Sequence, residues 1–556
     1  MIRAPFARSS LFFQRKKIML ELKQEWPEAR AADYRAAGYW RGETMFGFLE
    51  QRAAKSPDHI AVVGEQERWT YAGLVSRAKH HAATFLAMGL EPGTRVVVQL
   101  PNTPEFLSVV FGLFRAGLVP VFALPAHRLI EISHFVNKSE AGAYIGTATH
   151  EGFDYRALAA EVQSQCPGLR RIIIIDDLSE FRAAASDVVR LPVAIKPSSV
   201  AFLQISGGST GLSKLIPRTH DDYIYSFRAS AEICGLDETS IYMAALPVAH
   251  NFPMSSPGVF GALYAGSTIV MCPSPTPATA FAYIERERVT ITGVVPPLAL
   301  LWMQAAATTA HDISSLRILQ VGGAKFIPEA AARVKASLGC ALQQVFGMAE
   351  GLVNYTRLDD LDEIVINTQG RPISPGDEIL IVDDMGNPVK DGEPGMLLTR
   401  GPYTINAYHN DDAANARSFT DDGYYRTGDI VSRTPDGYLT VRGRAGDHIN
   451  RSGEKISAEE IEDHLLAHAS VLDVAVVSIP DPYLGERSCA FVIARGEKPK
   501  STALKAFVRS RGLADFKVPD QIVFVDAFET TAVGKTSRKF LRQTLREQFL
   551  STSAAE

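Results

Sequence analysis

The sequence lacks the features of three classes of protein: membrane-spanning proteins, zinc-cluster proteins and disulfide-stabilised secreted proteins. No apolar run approaches the roughly 20 residues that a membrane-spanning helix requires. The 556 residues include only five cysteines, and no two of them have CxxC spacing. Neither a zinc site nor a disulfide framework is therefore predicted, and a reducing compartment, the cytoplasm, is the expected location. The cysteines are Cys166, Cys234, Cys272, Cys340 and Cys489.

The chain also lacks an excess of basic residues. Its formal net charge of -5 argues against a dedicated nucleic-acid-binding protein. The exception is the segment 1–19, which has five basic residues and no acidic one. Its apolar centre, residues 11–13, is shorter than the roughly 7 to 15 residues of a secretory signal. We therefore expect residues 1–19 to be a disordered extension, with Met19 as an alternative start.

Strand-like apolar runs alternate with helix-length segments through the first three quarters of the chain. Runs rich in β-branched residues occur at 95–100, 171–175, 267–271 and 291–295. Short runs separated by helical patterns favour an α/β fold with largely parallel sheets covered by helices on both faces. The segment 272–277 has three prolines, which cannot sit within a strand ladder, so it is predicted to be a loop. A chain of this length is expected to divide into at least two domains.

The pattern of predicted helices and strands changes near 443–447, where a small C-terminal unit begins. Ser457 and Glu460 form a predicted capping box, in which each side chain satisfies a backbone N–H group at a helix start. Apolar residues at helical spacing follow, and 474–479 and 490–493 are predicted strands. The glycine-containing segment before them predicts a hinge between this α+β unit and the rest of the chain.

The segment 206–214 reads SGGSTGLSK and follows the apolar run 200–205. Backbone N–H groups in such a loop, rich in glycine and hydroxyl residues, can converge on a phosphate group. The segment is not a Walker loop, because Leu212 stands where that motif requires its second glycine and Leu215 follows Lys214. Taken alone, the run is equally consistent with a flexible surface turn.

Four further motifs favour the phosphate-binding alternative. The segments 346–350 (FGMAE), 425–429 (YRTGD), 443–444 (GR) and 534–535 (GK) follow the loop in this order. Together with 206–214 they resemble the adenylate-forming superfamily of acyl-CoA synthetases, adenylation domains and luciferases. The resemblance covers most of the chain, and several motifs in the right order make it specific.

The resemblance implies an α/β fold with two domains. The large N-terminal domain would combine α/β sheets covered by helices with a distorted β-barrel, and the C-terminal domain would be small, α+β and mobile. The implied limits are an extension over 1–19, an adenylation core over 20–443, a hinge over 444–446 and a mobile domain over 447–556. Relatives usually have Asp or Lys at the pivot, so Gly446 permits rotation but loses the interactions of a charged hinge.

The resemblance implies a reaction in two steps. A carboxylate attacks the α-phosphate of ATP to give an acyl-adenylate and pyrophosphate, and a thiol then displaces AMP. Glu350 would hold Mg²⁺, the catalytic Lys535 would bridge the carboxylate and the α-phosphate, and Asp429 with Arg444 would hold the ribose. Ala349 replaces a threonine that is common in relatives, so one phosphate hydrogen bond is missing or supplied elsewhere. The residues assigned to ATP or AMP are Ser206, Gly207, Gly208, Ser209, Thr210, Gly211, Lys214, Gly322, Gly323, Ala324, Phe346, Gly347, Met348, Ala349, Asp429, Val441 and Arg444.

Each motif has a plainer explanation when it is taken alone. Glu350 is consistent with a carboxylate at a helix start, residues 427–429 with a turn, and Lys535 with a solvated surface charge. Phe346 and residues 322–324 gain their roles as two walls against adenine only from the resemblance. A further alternative is a protein that binds nucleotide without turnover. The joint presence of Glu350, Asp429 and Lys535 argues against it.

The segment 246–258 (LPVAHNFPMSSPG) resembles the substrate pocket of the aryl-acid adenylating enzymes of catecholate siderophore assembly. By this resemblance Asn251 contacts the carboxylate and 2-hydroxyl group of a 2-hydroxybenzoate, because its amide both donates and accepts. Ser256 leaves room for a 3-hydroxyl group, which favours 2,3-dihydroxybenzoate; salicylate, another aryl acid, or an aryl-CoA ligase activity are alternatives. His250 would be a catalytic residue that gates the pocket, although a plain turn is the simpler interpretation without the resemblance. The implied substrate contacts are Asn251, Phe252, Ser256, Gly323 and Val353.

The same subgroup implies that the thiol belongs to a phosphopantetheine arm on an aryl carrier protein in siderophore biosynthesis. No LGGxS run of a carrier domain occurs in the sequence, so this partner is expected to be a separate chain. Neither nucleic acid nor a membrane is an expected partner, and the sequence leaves open whether the chain forms a homodimer.

Overall fold

The computed structural model describes residues 19–177, 194–206, 213–444, 448–451, 454–481, 484–511 and 517–528. Four predictions fall outside these ranges, namely the extension over 1–18, the loop residues Gly207 to Gly211, the hinge residue Gly446 and the catalytic Lys535. They stay predictions, and so do the domain limits at 443 and 447.

A nine-stranded sheet forms the centre of the large domain. Its six middle strands are parallel and mostly buried, as expected for apolar runs covered on both faces. Antiparallel strands complete its two edges. Numbered along the chain and given in spatial order, the strands are β17 (Arg371–Pro372), β16 (Val353–Tyr355), β15 (Ala341–Gly347), β14 (Ile318–Gly322), β13 (Ile291–Val294), β11 (Ile241–Ala244), β12 (Thr268–Met271), β1 (Ile60–Val63) and β2 (Arg68–Thr70).

A second, six-stranded sheet belongs to the same domain. Five of its strands are parallel and the edge strand β10 is antiparallel. In spatial order they are β10 (Leu215–Thr219), β9 (Val200–Ile205), β4 (Val119–Phe122), β3 (Arg95–Gln99), β5 (Ala143–Gly146) and β8 (Arg171–Ile174), and a short hairpin joins β6 (Thr149–His150) to β7 (Phe153–Asp154). The strands predicted from 95–100, 171–175, 267–271 and 291–295 are all present in the two sheets.

The implied β-barrel region is an antiparallel four-stranded sheet. Its strands are β18 (Glu378–Val382), β19 (Gly395–Arg400), β20 (Tyr425–Arg433) and β21 (Leu439–Arg444). Each strand pairs with the next along the chain, and among the described residues β18 and β21 do not pair with each other. The sheet therefore stays open between its first and last strands.

The small domain has one sheet and two helices in its described part. The sheet contains β22 (His448–Arg451), β23 (Glu454–Ser457), β24 (Val471–Asp481), β25 (Gly485–Ala494) and β26 (Gln521–Val525), and the two strands predicted here lie within β24 and β25. Only half of the predicted capping box forms. Ser457 Oγ accepts a hydrogen bond from the Glu460 N–H group at 3.3 Å, but the Glu460 carboxylate accepts from Lys517 Nζ at 2.8 Å.

Helices cover the sheets and bury their apolar sides against them. One prediction needs a small correction: the proline-rich loop ends at Thr276, because Pro277 begins a helix, where its missing N–H group has no cost. The helices are α1 (Glu28–Ala36), α2 (Met45–Lys55), α3 (Tyr71–Ala87), α4 (Pro104–Arg115), α5 (Leu129–Ser139), α6 (Tyr155–Gln165), α7 (His220–Ile233), α8 (Asn251–Ser255), α9 (Gly258–Ala265), α10 (Pro277–Glu287), α11 (Pro296–Ala306), α12 (Pro328–Ala331), α13 (Val334–Leu338), α14 (Asp362–Asn367), α15 (Asp412–Ser418), α16 (Ala458–Leu466) and α17 (Ser501–Ser510).

All five cysteines lie within the described residues, and all are buried and free. Burial raises the pKa of the Cys272 thiol to about 11 and the pKa of Cys340 and of Cys489 to about 12. Of the helices in the described ranges, none combines the length and the apolar character that a membrane crossing needs. The α/β core and the small α+β domain confirm the predicted fold class.

Candidate active site

Several predicted site residues of the large domain lie where parallel strands of the nine-stranded sheet end. The chain places β12 on one side of β11 and β13 on the other, so β11 is a topological switch point. In open α/β sheets, ligands bind at the carboxyl ends of the strands beside such a point. The segment 245–256 follows β11, Gly322 ends β14 and Gly347 ends β15. Three distant parts of the sequence therefore meet at one edge.

A cavity of about 850 Å³ lies between the large domain and the small domain. This volume suits a ligand of nucleotide size. On the small-domain side, α16 contributes Glu459, Glu462 and Asp463. On the large-domain side, seven residues predicted to bind ATP or AMP line the cavity: Gly323, Ala324, Phe346, Gly347, Asp429, Val441 and Arg444.

Asp429 and Arg444 face each other across the strand pair β20 and β21. Arg444 Nε lies 2.8 Å from Asp429 Oδ1, and the carboxylate side chain is 7% exposed whereas the arginine side chain is 53% exposed. The alternative of a plain turn at 427–429 is wrong, because these residues lie within β20, with Gly428 at a φ of +75°. The pair presents a buried acceptor beside an exposed donor, which matches the two sides of a ribose diol.

Of the predicted adenine walls, Phe346 on one hand and Gly323 with Ala324 on the other line the cavity. Phe346 is partly buried against the apolar cluster that includes Val441. Gly323 follows β14 with a φ of +84°, which a residue with a Cβ atom adopts only with strain. The Val441 N–H group donates to Gln369 Oε1 at 2.8 Å, and Gln369 Nε2 donates to Gln344 Oε1 at 3.1 Å, so Gln369 links β21 to β15.

Asn251 is the first residue of α8, and its amide orientation is fixed by a buried tyrosine. The Tyr223 hydroxyl donates to Asn251 Oδ1 at 2.9 Å, and Asn251 is 9% exposed. Burial raises the pKa of Tyr223, which keeps its hydroxyl protonated. Because Oδ1 is occupied by this bond, the two Nδ2 hydrogens remain for acceptors on a ligand.

Phe252, Val353 and Ser256 are buried, and Phe252 and Val353 belong to one apolar cluster. The Phe252 ring lies directly over two glycines: a Cβ atom added to Gly293 or Gly322 would come within 3.0 Å or 3.2 Å of its Cζ atom. Both glycines lie in neighbouring parallel strands, β13 and β14. The flat floor of the pocket therefore depends on the absence of two side chains.

His250 caps the start of α8. Its Nδ1 atom accepts a hydrogen bond from the Phe252 N–H group at 3.3 Å, so in the neutral ring the proton is on Nε2. The alternative of a plain turn at His250 and Asn251 is wrong, because these residues form the N-cap and first position of a helix.

Glu350 is held by one tyrosine, which in turn contacts a second tyrosine. The Tyr408 hydroxyl donates to Glu350 Oε1 at 2.8 Å and lies 3.0 Å from the Tyr425 hydroxyl. Burial raises the pKa of both tyrosines, so both remain donors. Lys214 Nζ lies 4.2 Å from the centre of the Tyr408 ring, and burial lowers its pKa. Glu350 lies in a turn and not at a helix start.

The ends of the predicted phosphate loop are joined to each other. Ser206 Oγ accepts from the Lys214 N–H group at 2.9 Å, and the Ser206 N–H group donates to the Lys214 carbonyl oxygen at 3.0 Å. Met348 and Ala349 are partly buried, and the Ala349 carbonyl oxygen accepts from Arg218 Nη1 at 2.7 Å. Arg218 thus ties the strand after the loop to the segment that presents Glu350.

Sequence reasoning assigned no role to Tyr223, Tyr408, Tyr425 or Arg218. Tyr425 lies inside the quoted segment 425–429, so its position was a usable signal, and Arg218 lies four residues after the segment 206–214. Tyr223 and Tyr408 contact residues 28 and 58 positions away, and no local pattern marks them. Conversely, the structure does not place Lys214, Glu350 or Asn251 on the cavity that holds Asp429.

Comparisons with known proteins agree with this arrangement. The model of the AMP-binding enzyme family matches residues 49–409, and that of the AMP-binding enzyme C-terminal domain matches residues 460–535. The chain is 57% identical over 536 residues to a 2,3-dihydroxybenzoate-AMP ligase of Bacillus subtilis, covering 96% of this chain and 99% of that protein. It is 49% identical to a vibriobactin-specific 2,3-dihydroxybenzoate-AMP ligase of Vibrio cholerae, covering 93% and 97%.

A solved structure shares the fold over nearly the whole length. The apo structure of MbtA from Mycobacterium smegmatis has a TM-score of 0.73 and 47% identity, covering 94% of this chain and 98% of that chain. The family match spans more than half of the residues, and it includes both the switch-point segment and the small domain. This chain therefore belongs to the family of AMP-binding enzymes.

Proposed function

We propose that this protein joins 2,3-dihydroxybenzoate to AMP, with release of pyrophosphate, and then transfers the aryl group to a phosphopantetheine thiol on an aryl carrier protein of siderophore biosynthesis. The observation that carries the proposal is the pair of buried polar residues, Asn251 and Ser256, at the two ends of α8. The 57% identity to a protein named 2,3-dihydroxybenzoate-AMP ligase supports the same substrate.

In the first step a carboxylate oxygen attacks the α-phosphorus of ATP, and the bond from that phosphorus to the bridging oxygen of the β-phosphate breaks. Asn251 orients the acid, because its Nδ2 hydrogens point to acceptors while Tyr223 holds its Oδ1. Phe252 and Val353 enclose the ring, and Ser256 hydrogen-bonds the 3-hydroxyl group. His250 stands at the entrance, where Nε2 carries its proton.

The nucleotide is held by residues of several separate segments. Asp429 accepts hydrogen bonds from the ribose hydroxyls and Arg444 donates to the same sugar. Phe346 packs on one face of adenine, and residues 322–324 form the other wall. The loop 206–211 with Lys214 binds the β- and γ-phosphates through N–H groups and a cation.

Glu350 is the residue that would hold Mg²⁺. Its carboxylate is a hard oxygen donor that Tyr408 fixes in place, and the described residues contain no cluster of three or more potential metal-binding side chains. A single carboxylate fits Mg²⁺, which is usually bound by one or two carboxylates together with phosphates and waters. The bound ion would neutralise charge on the triphosphate.

Lys535 is proposed to supply the positive charge that draws the carboxylate to the α-phosphate. With an unperturbed pKa near 10.4 a lysine stays cationic at neutral pH. Rotation of the small domain about Gly446 would withdraw Lys535 after the first step and admit the thiol. The thiolate then attacks the acyl carbon, the acyl–phosphate bond breaks and AMP leaves.

The free, buried thiols and the net charge of -5 support a cytoplasmic protein that binds neither nucleic acid nor membranes. The carrier protein is a separate chain in this proposal. Whether two copies of the chain form a homodimer stays a prediction.

ATP–pyrophosphate exchange with a panel of benzoates tests the proposal. We expect the highest kcat/KM with 2,3-dihydroxybenzoate, and we expect AMP and pyrophosphate as products. Lys535→Ala is the matched control: it should lose exchange while it still transfers a supplied aryl-adenylate to the carrier protein.

Three results would contradict the proposal. Equal or better exchange with salicylate would refute the choice of substrate. Release of ADP would refute adenylate chemistry. Equal loss of both half-reactions in the Lys535→Ala variant would refute the assigned role of this residue and of domain rotation.

A further inference from the structure

A buried tyrosine lies behind Ser256 and has no role in the function described so far. Tyr355 is the last residue of β16 and is 0% exposed. Alternate residues of a strand point to the same side, so Tyr355 lies on the same face as Val353, a predicted wall of the substrate pocket. Tyr355, Val353 and Phe252 belong to one packed cluster.

Ser230 approaches the same place from α7. Tyr223, Phe227 and Ser230 are spaced by four and three positions, so they lie along one face of this helix. Ser230 is 0% exposed. Within the described part of the chain, neither Tyr355 Oη nor Ser230 Oγ has a hydrogen-bond partner. A buried polar group left in this state costs free energy, which a ligand hydroxyl group can recover.

The hydroxyl of Ser256 is the third of these buried hydroxyls, after those of Tyr355 and Ser230. Ser256 is 3% exposed and its N–H group donates to the Phe252 carbonyl oxygen at 3.1 Å, which fixes the backbone at the end of α8. Burial raises the pKa of Tyr355 well above its ordinary value, and the hydroxyls of Ser230 and Ser256 offset part of this rise. The Tyr355 hydroxyl therefore stays protonated, with the hydroxyls of Ser230 and Ser256 nearby.

The arrangement repeats the one around Asn251. There, a buried tyrosine of α7 donates to the residue that contacts the substrate, at 2.9 Å. Here, a buried tyrosine of β16 stands behind the next polar residue of the pocket. In both places the group that touches the substrate lies in α8 or directly after it, and its support comes from another element.

We propose that Tyr355 is a positioning residue that selects aryl acids with a second ring hydroxyl, and that it acts through Ser256. Binding of the substrate draws these hydroxyls into one chain: the Ser230 hydroxyl then donates to Tyr355 Oη, the Tyr355 hydroxyl to Ser256 Oγ, and the Ser256 hydroxyl to the 3-hydroxyl oxygen of the substrate. This inference rests on the proposed function. An acid without the 3-hydroxyl group leaves the chain of donors without its final acceptor, so such an acid binds the transition-state arrangement less well.

The test compares 2,3-dihydroxybenzoate with salicylate in ATP–pyrophosphate exchange by the full-length protein. Tyr355→Phe keeps the ring and removes the hydroxyl group. We expect the ratio of kcat/KM values for the two acids to fall about 3- to 10-fold, the effect of one hydrogen bond, through loss with 2,3-dihydroxybenzoate alone. Ser230→Ala should lower the ratio in the same direction by a smaller factor.

A double-mutant cycle separates positioning from mere packing. In a Ser256→Ala background, Tyr355→Phe should change the ratio no further, because its effect passes through the serine hydroxyl. Tyr144→Phe is the matched control, since Tyr144 is a fully buried tyrosine whose hydroxyl donates to Gln99 Oε1 in the other sheet. It should leave the ratio unchanged.

Three outcomes would overturn the inference: an unchanged ratio in folded Tyr355→Phe, equal loss with both acids, or additive effects of Tyr355→Phe and Ser256→Ala. If Tyr355→Phe does not fold, an unchanged ratio in Ser230→Ala overturns it instead. Failure of the proposed function is a different result, because the unaltered protein would then show no exchange with either acid.

Discussion

Asp377 supports the substrate pocket from a distance, at the level of single residues. Asp377 Oδ2 accepts from the Tyr403 hydroxyl at 2.6 Å, and Tyr403 Oη accepts from the Val353 N–H group at 3.2 Å. The residue is partly exposed, but its carboxyl Oδ1 atom is buried without a hydrogen-bond partner. Burial raises the pKa of Asp377 to about 8. The wall at Val353 is thus held by a carboxyl group that stays protonated in the folded protein at neutral pH.

Asp377→Asn should make the protein more stable at pH 8 relative to the unaltered protein. Between pH 4 and pH 8 the unfolded state has lost the Asp377 proton and the folded state keeps it, so stability of the unaltered protein falls as the pH rises. Asparagine has no ionisable side chain, so the variant does not lose stability in this way as the pH rises. Thermal unfolding of both proteins at pH 5 and pH 8 measures the effect, which we expect to be about 1–5 kcal/mol at pH 8 and smaller at pH 5. An equal difference at both values would contradict it.

Local motifs mark the proposed substrate contacts better than they mark the residues that hold those contacts in place. Asn251, Ser256 and Asp429 stand in short segments whose spacing marks them in the sequence. Tyr408 and Tyr403 do not, because their partners Glu350 and Asp377 are brought to them by the fold across 58 and 26 positions. Side chains of this supporting kind can be found only when the strand order is known.

At the scale of elements, α7 is the helix that supports the pocket. Its N-cap, Thr219, forms a full capping box with Asp222: Thr219 Oγ1 accepts from the Asp222 N–H group at 3.2 Å, and the Thr219 N–H group donates to Asp222 Oδ2 at 2.7 Å. Arg218 Nε donates to Asp222 Oδ1 at 2.7 Å, with both side chains fully buried. One turn later the same helix presents Tyr223 to Asn251.

Thr219→Ala should destabilise the large domain by about 1–2 kcal/mol, the usual effect of losing an N-cap. The change removes the acceptor for the Asp222 N–H group and one donor to the buried carboxylate. The midpoint of urea unfolding measures it. Thr276→Ala is the matched control, because the Thr276 side chain makes no capping hydrogen bond to α10, and it should shift the midpoint little. Equal shifts for the two variants would contradict the role of the box.

Strand and helix types are predictable here, whereas their arrangement is not. The runs at 95–100 and 291–295 contain buried β-branched residues, so periodicity and composition identify them as strands. Their neighbours in the sheets depend on long-range packing: β11 lies between β12 and β13, and no feature of 241–244 specifies this position. The switch point that gathers the site was therefore outside the reach of the sequence alone.

At the scale of the whole molecule, at least two ion pairs connect the domains within the part of the chain that the structure describes. Lys325 Nζ lies 2.5 Å from Asp463 Oδ2, with side chains 12% and 22% exposed. Arg511 Nη2 lies 2.9 Å from Glu329 Oε1, in a more exposed position. Lys325 and Asp463 both line the cavity between the domains. The contacts that set the orientation of the small domain thus adjoin the ligand space.

Asp463→Asn should weaken the observed arrangement of the domains by about 1–3 kcal/mol, between the values for exposed and for fully buried pairs. The reason is that the largely buried Lys325 ammonium group loses its ion-pair partner. Single-molecule energy transfer between dyes at positions 361 and 497 measures the domain distance, and we expect a second population to grow.

Asp312→Asn is the control for this change, because Arg288 and Asp312 form an exposed pair within the large domain, with side chains 56% and 51% exposed. Its distance distribution should match that of the unaltered protein. An unchanged distribution in Asp463→Asn would show that the ion pair has no part in holding the domains.

The five buried cysteines have a practical consequence for chemistry done on the intact fold. Only a thiolate reacts readily with alkylating or oxidising reagents. All five sulfur atoms are buried, and burial raises the pKa of the Cys234, Cys272, Cys340 and Cys489 thiols. The native cysteines of the folded protein should therefore not react with maleimides, so a cysteine engineered on the surface is modified selectively. When the chain unfolds, the same five thiols become accessible and reactive, so their modification measures the loss of structure.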